Sequence, residues 1–130
     1  MISVFEKYPD VRFDLYHLGV PYIRETLIIA KNNRNVWLNL CWTHTISESM
    51  CVAAVEEASE MVPMNRIIAF GGDYKYSVEN VYGHLVMAKE NIAEAFARRT
   101  ARGNLSVSQA VTQIRKWFWD NPVELYHLDL

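Results

Sequence analysis

Cysteine is scarce, glycine and proline are few, and neither sign of charge dominates. Only Cys41 and Cys51 occur in 130 residues, both inside apolar segments, which suits reduced thiols in a cytoplasmic protein. Five glycines and four prolines build no linker, and there is no low-complexity stretch or charge block, so residues 1–130 read as one domain. Thirteen basic against fifteen acidic residues give a net charge of -2. No basic excess exists to draw the chain onto nucleic acid or anionic lipid. No apolar run approaches the roughly 20 residues that span a bilayer. The opening, Met1 to Asp10, lacks the charged-then-apolar order of a signal peptide. The length excludes a complete eight-stranded barrel, which takes about 250 residues.

What remains is a soluble globular composition, 51% hydrophobic and 22% charged, with enough chain for a core. Val11, Phe13, Leu15 and His17 alternate with Arg12, Asp14 and Tyr16, which predicts a first strand over 11–17. Pro21 to Asn32 turns helical, with Pro21 placed in the first turn. A second strand is expected over 35–41. Thr45-Ile-Ser-Glu48 has capping-box spacing and opens a helix to about Glu60, stopped by Pro63. The continuous run Ile67-Ile-Ala-Phe70 places a third strand, covered on both faces, over 66–71. A long helix then spans about 78–102, with Gly103 as its stop. Ser106-Val-Ser-Gln109 is a second capping box. The helix after it puts Val107, Ala110, Val111, Ile114, Trp117 and Phe118 on one stripe. Asn121 to Tyr126 closes the chain as a short helix.

Helices of this length between strands point to parallel βα units. Right-handed crossovers put the three strand C-terminal ends on one edge, where α/β folds place chemistry. That edge carries Tyr16-His17, Cys41 to His44 and Gly72-Asp73-Tyr74. His17 and Asp73 end the first and third strands. Strands one apart sit about 9–10 Å from each other, so two side chains can converge on one ion. Imidazole nitrogen and carboxylate oxygen suit zinc, manganese or iron, and an Asp beside a metal can act as general base. The plainer alternatives are a satisfied strand-end histidine for His17 and a turn or helix-cap residue for Asp73.

Four segments in order carry a resemblance: Asp14-Leu-Tyr-His17-Leu-Gly19-Val-Pro21, Asn35-Val-Trp-Leu-Asn-Leu40, Arg66-Ile-Ile-Ala-Phe-Gly-Gly-Asp73-Tyr74 and Asn121-Pro-Val-Glu-Leu-Tyr126. Together they resemble the C-terminal part of the amidohydrolase superfamily, in its amidohydrolase-related branch, from about Tyr8 to Leu128. The resemblance implies a metal-dependent (β/α)8 (TIM) barrel. This chain would match its last three strands plus the C-terminal helices. By position, His17 corresponds to the sixth-strand histidine, a ligand of metal or substrate. Asp73 corresponds to the eighth-strand aspartate, a metal ligand and proton shuttle. Gly72 stands where Thr or Ser is more usual, and Asn39 where Asp is common. The implied cofactor is a divalent metal, zinc first.

The family's first-strand His-x-His has no counterpart, since His17, His44, His84 and His127 show no such spacing. The chain therefore reads as a fragment or truncated member of these hydrolases. The intact relative would hydrolyse C–N or C–O bonds, or decarboxylate, by metal-activated water. Two ligands hold a metal weakly, so the chain alone is expected to be inactive. The alternatives are a non-catalytic βα assembly module, or a piece of a uronate-isomerase-type enzyme. Three strands cannot close a barrel, leaving sheet edges and an inward face bearing Phe13, Leu15, Leu38 and Leu40 or their alternates along the strands. The expected partners are further copies of the chain or the missing N-terminal half of the barrel, with a small-molecule substrate if active, and neither nucleic acid nor membrane.

Other residues read more plainly. Trp37 and Trp117 are core. Trp42 and Tyr74, near Tyr76 and Tyr82, can wall a substrate site. His44 reads as surface in preference to a further ligand, Cys41 as a buried inert thiol in preference to a nucleophile with His17 or His44 as its base, and Arg98-Arg99-Thr-Ala-Arg102 as a solvated helix end. Gly71-Gly72 is no phosphate loop, because no Lys-Ser/Thr follows.

Overall fold

Alternating apolar residues build a sheet that separates two unequal layers. The computed structural model describes residues 2–75 and 78–130. Helix α1 (Ile2–Lys7) leads to strand β1 (Phe13–Leu15), helix α2 (Ile23–Asn32) and strand β2 (Val36–Asn39). Helices α3 (Thr43–Ile46) and α4 (Glu48–Met61) then lead to strand β3 (Ile67–Ile68) and the long helix α5 (Val78–Ala101). Helix α6 (Val107–Arg115), a π-helical turn over Lys116–Asp120 and helix α7 (Asn121–Tyr126) complete the chain. The three strands are parallel, in the order β1-β2-β3, with Leu15 opposite Leu38 and Asn39 opposite Ile68. This is an α/β fold of three parallel βα units, the arrangement of neighbouring strands in a βα barrel, with additional C-terminal helices.

The regular strands are shorter than the alternation predicts, because left-handed backbone and tight turns take over at their ends. His17 and Leu18 have φ of 60° and 49°, and Met64–Arg66 is a 3-10 turn. Strand-like pairing still continues past β3: Leu40 N–H donates to the Ile68 carbonyl at 2.9 Å and Trp42 N–H to the Gly71 carbonyl at 3.0 Å.

Phe13, Leu15, Leu38 and Leu40 are not an uncovered inward face. They join the main core, with Leu27 of α2, Val55 of α4 and Ile92 of α5. Leu38 and Leu40 are fully buried, and each such side chain contributes about 1.5–3 kcal/mol. The opposite face carries Asp14, Trp37, Asn39 and Ile68, and α7 lies over it. Leu125 packs on Trp37 and Ile68. The Tyr126 hydroxyl donates to Asp14, and Asn39 Nδ2 donates to Asp14 Oδ2 at 3.1 Å. The β3 edge is also served from within the chain. Ala69 N–H donates to the Trp117 carbonyl at 2.9 Å, and Asn121 Nδ2 to the Ile67 carbonyl at 2.7 Å.

Several local expectations change. Pro21 precedes α2 instead of starting it. Thr45 does not cap α4, because its hydroxyl donates to the Trp42 carbonyl. Ser47 breaks the segment with extended φ/ψ and caps α4 itself, accepting from Met50 N–H. The second capping box forms as predicted, with both Ser106 and Gln109 bonds present. Val107 and Val111 are exposed, so the buried stripe keeps only Ala110, Ile114, Trp117 and Phe118. Arg99 is buried against α4, donating to Ser59 Oγ at 2.6 Å, and Arg98 and Arg102 both pair with Glu56. That cluster fastens α5 to α4 and is not simply a solvated end.

Candidate metal centre at the strand ends

Parallel strands bring the three strand-end segments to one rim. Five non-glycine residues among those described have positive φ, and four of them are here: His17 (60°), Leu18 (49°), Trp42 (58°) and Asp73 (51°). Each costs of order 1–3 kcal/mol of backbone strain, which a fold retains only where its surroundings impose it.

His17 lies two residues past the end of β1, in the turn Tyr16–Gly19. Its Nδ1 lies 2.7 Å from the Cys41 carbonyl. A carbonyl can only accept, so Nδ1 carries the proton and, in the neutral ring, the lone pair is on Nε2. Nε2 faces the Asp73 carboxylate, 3.8 Å from Oδ2. The Asp73 side chain is 56% exposed and the His17 side chain 35%, so the pair opens to solvent. Both sequence-predicted residues therefore meet, from strands that are not neighbours.

Cys41, between them at the end of β2, is the residue whose part sequence reasoning missed. Its carbonyl orients the His17 ring and its N–H donates to Asn39 Oδ1 at 2.9 Å. One ligand atom each from His17, Cys41 and Asp73 all lie within 4.8 Å of one another. Gly71 makes room for the thiol: a Cβ there would stand 2.9 Å from Cys41 Cβ and 3.1 Å from Sγ. Burial, with the nearby Asp73 and Asp14 charges, pushes the Cys41 thiol up to about 11. That is the reverse of an activated nucleophile.

The donor set fits a divalent metal. Metal bonds of about 2.0–2.3 Å in a tetrahedral site put donor atoms about 3.5 Å apart, so closing this cluster takes about an ångström of side-chain rotation. The exposed Asp73 carboxylate has space for that. A backbone carbonyl on the far nitrogen of a ligand histidine is the usual orienting partner of such sites.

Beside the rim lies an open cavity of about 450 Å³, lined by Trp42, Tyr74, His84 and Met87 among others. The Trp42 ring stands 6.1 Å from the His17 ring. Trp42 and Tyr74 thus wall a cavity next to the pair, whereas Tyr76 lies outside the described residues. Trp37 and Trp117 are core, as expected.

His44 is not on the surface: it is completely buried. Its Nε2 donates to the Ala69 carbonyl at 2.9 Å. Its Nδ1 accepts from Cys51 Sγ at 3.2 Å and Asn91 Nδ2 at 3.4 Å. Burial, with His84 opposing a second charge nearby, pulls its pKa down to about 4.

The amidohydrolase family profile matches residues 1–128, nearly the whole chain. The chain belongs to the amidohydrolase family. The chain is also similar to protein fluG of Emericella nidulans, at 25% identity over 128 residues. That alignment covers 98% of this chain and 15% of fluG, so the chain spans a small part of that relative's length. No solved structure matches it. The amidohydrolase family is a hydrolase-like family, and the rim cluster supplies side chains that can hold a metal. No helix among the described residues is long and apolar enough to cross a membrane.

Proposed function

We propose that the chain carries part of a metal-dependent amidohydrolase-type hydrolase site, with His17 and Asp73 as ligands and zinc as the ion. The observation that carries this reading is the His17 ring, its Nδ1 tied to the Cys41 carbonyl and its Nε2 lone pair aimed at Asp73. A bound divalent ion would supply Lewis-acid polarisation and lower the pKa of water towards 7. His17 would hold that ion through Nε2. Asp73, the more exposed of the two, accepts a proton from an attacking water at its carboxylate oxygen. The reaction class is hydrolysis of a C–N or C–O bond, or decarboxylation, of a small molecule held against Trp42 and Tyr74.

Few ligands converge here, and the rim is open. The chain alone is therefore proposed to be inactive as a fragment of such an enzyme. Turnover would require additional ligands from a second copy or another polypeptide, in the cytoplasm. The test is metal content per chain after purification without chelator, for the wild type and Asp73→Ala. Near-stoichiometric zinc in the wild type, lost in the variant, is expected. Zinc absent from both, or retained by Asp73→Ala, overturns the reading and leaves an assembly module of amidohydrolase ancestry.

A further inference from the structure

We propose that the Cys41 thiol is a third metal ligand at this rim, making the site selective for thiophilic divalent ions such as zinc, cobalt or cadmium over magnesium and manganese. The inference rests on the reading of His17 and Asp73 as ligands and adds a residue to it.

Three observations carry it. First, one donor atom from each of His17, Cys41 and Asp73 falls within 4.8 Å of the other two, although they come from three different strand ends. Second, Cys41 is already part of the histidine's support: its carbonyl takes the Nδ1 proton, which leaves Nε2 as the nitrogen through which the ring can bind an ion. Third, the thiol is held in place from behind. Gly71 packs against Cys41 at a distance that leaves no room for a Cβ, and Asn39 Oδ1 fixes the Cys41 N–H. The other cysteine has no such setting. Cys51 Sγ is bonded to His44 Nδ1 inside the core, and no carboxylate joins that pair in a cluster among the described residues.

Sulfur changes what the site prefers. Carboxylate and water ligands suit magnesium and manganese, whereas thiolate with imidazole selects zinc and its neighbours. Binding would displace the thiol proton to solvent, leaving thiolate, imidazole and carboxylate as three protein ligands, the number that catalytic zinc sites use.

The test loads the full chain with cobalt(II) and reads the near-ultraviolet thiolate-to-cobalt charge-transfer band. The wild type and Cys51→Ser should show the band. Cys41→Ser should lose it and bind zinc at least about tenfold more weakly. Cobalt bound by the wild type without the band overturns the role of Cys41 but leaves His17 and Asp73 as ligands. No cobalt bound by the wild type removes both readings. Should Cys41→Ser fail to fold, alkylation of the wild type decides, with labelled residues located by peptide mass spectrometry. Zinc should slow modification of Cys41 severalfold and leave Cys51 unchanged, whereas equal labelling of Cys41 with and without zinc overturns the proposal. In competition, excess magnesium should fail to restore the labelling that zinc suppresses.

Discussion

The chain holds two histidine–cysteine pairs, His17 with Cys41 and His44 with Cys51. In each pair the histidine gives one N–H to a backbone carbonyl at the end of a strand segment, Cys41 for His17 and Ala69 for His44. The difference lies in the second nitrogen. For His44 it is used up by Cys51 and Asn91, inside the core with no exposed surface. For His17 it faces a carboxylate across 3.8 Å, at a rim open to solvent. A lone pair already satisfied by two donors has nothing to offer a ligand. A lone pair held towards an acceptor-only group invites a proton or a cation between them. The same residue types thus build a structural bond in one place and a candidate binding site in the other.

Deleting each imidazole gives the sharpest contrast. His44→Ala removes a fully buried side chain and orphans the Ala69 carbonyl and the Asn91 amide, so a loss of about 4 kcal/mol is expected. His17→Ala should cost under about 1 kcal/mol, because that ring is partly exposed, while zinc binding disappears. Urea denaturation and metal analysis on both variants check the pair. Equal destabilisation by the two would erase the distinction.

Acid should act on His44. Folded His44 stays neutral down to about pH 4, whereas unfolded it takes a proton near its ordinary 6.5. Between those values the unfolded chain binds more protons, so stability falls as pH falls and levels off below about 4. The full span corresponds to on the order of 3 kcal/mol. Protonation would also set an Nδ1–H against the Asn91 amide donor. Urea midpoints at neutral and acid pH should show a slope that His44→Asn largely removes. A slope unchanged in His44→Asn would place the acid sensitivity elsewhere.

The fold was legible where the signal is local. Alternation over Phe13 to Leu15 and Val36 to Asn39, the apolar run at Ile67 and the Ser106 cap each declare an element by themselves. Parallel topology then follows from helix lengths, and it carries His17 and Asp73 to one rim. What stayed hidden depends on contacts between distant segments. His44 follows a strand and looks exposed until Cys51 and Asn91, from two later helices, close over it. The face beneath α7 looks unpartnered until Leu125 and Tyr126 return to it from the chain's end. Cys41 looks inert because sulfur among apolar neighbours usually is. Nothing in its own segment says that a glycine thirty residues on leaves room beside it.

Gly71→Ala probes the rim pair alone and has the smallest expected effect. The added Cβ would sit 2.9 Å from Cys41 Cβ and 3.1 Å from Sγ, closer than packed carbons tolerate. Neither atom is the far end of a flexible chain, so the backbone at residue 41 or 71 must shift. Overpacking of this kind costs about 1–3 kcal/mol, and an exposed rim that can yield belongs at the lower end. The displacement moves the Cys41 carbonyl that anchors His17 Nδ1, so zinc affinity should fall although no proposed ligand has been changed. His44 donates to Ala69 and lies outside the clash, so the acid slope should remain as in the wild type. Calorimetric zinc titration and the urea midpoint at two pH values read both effects on one variant. A full-strength zinc site in Gly71→Ala would mean that the position of Cys41 does not matter to the rim.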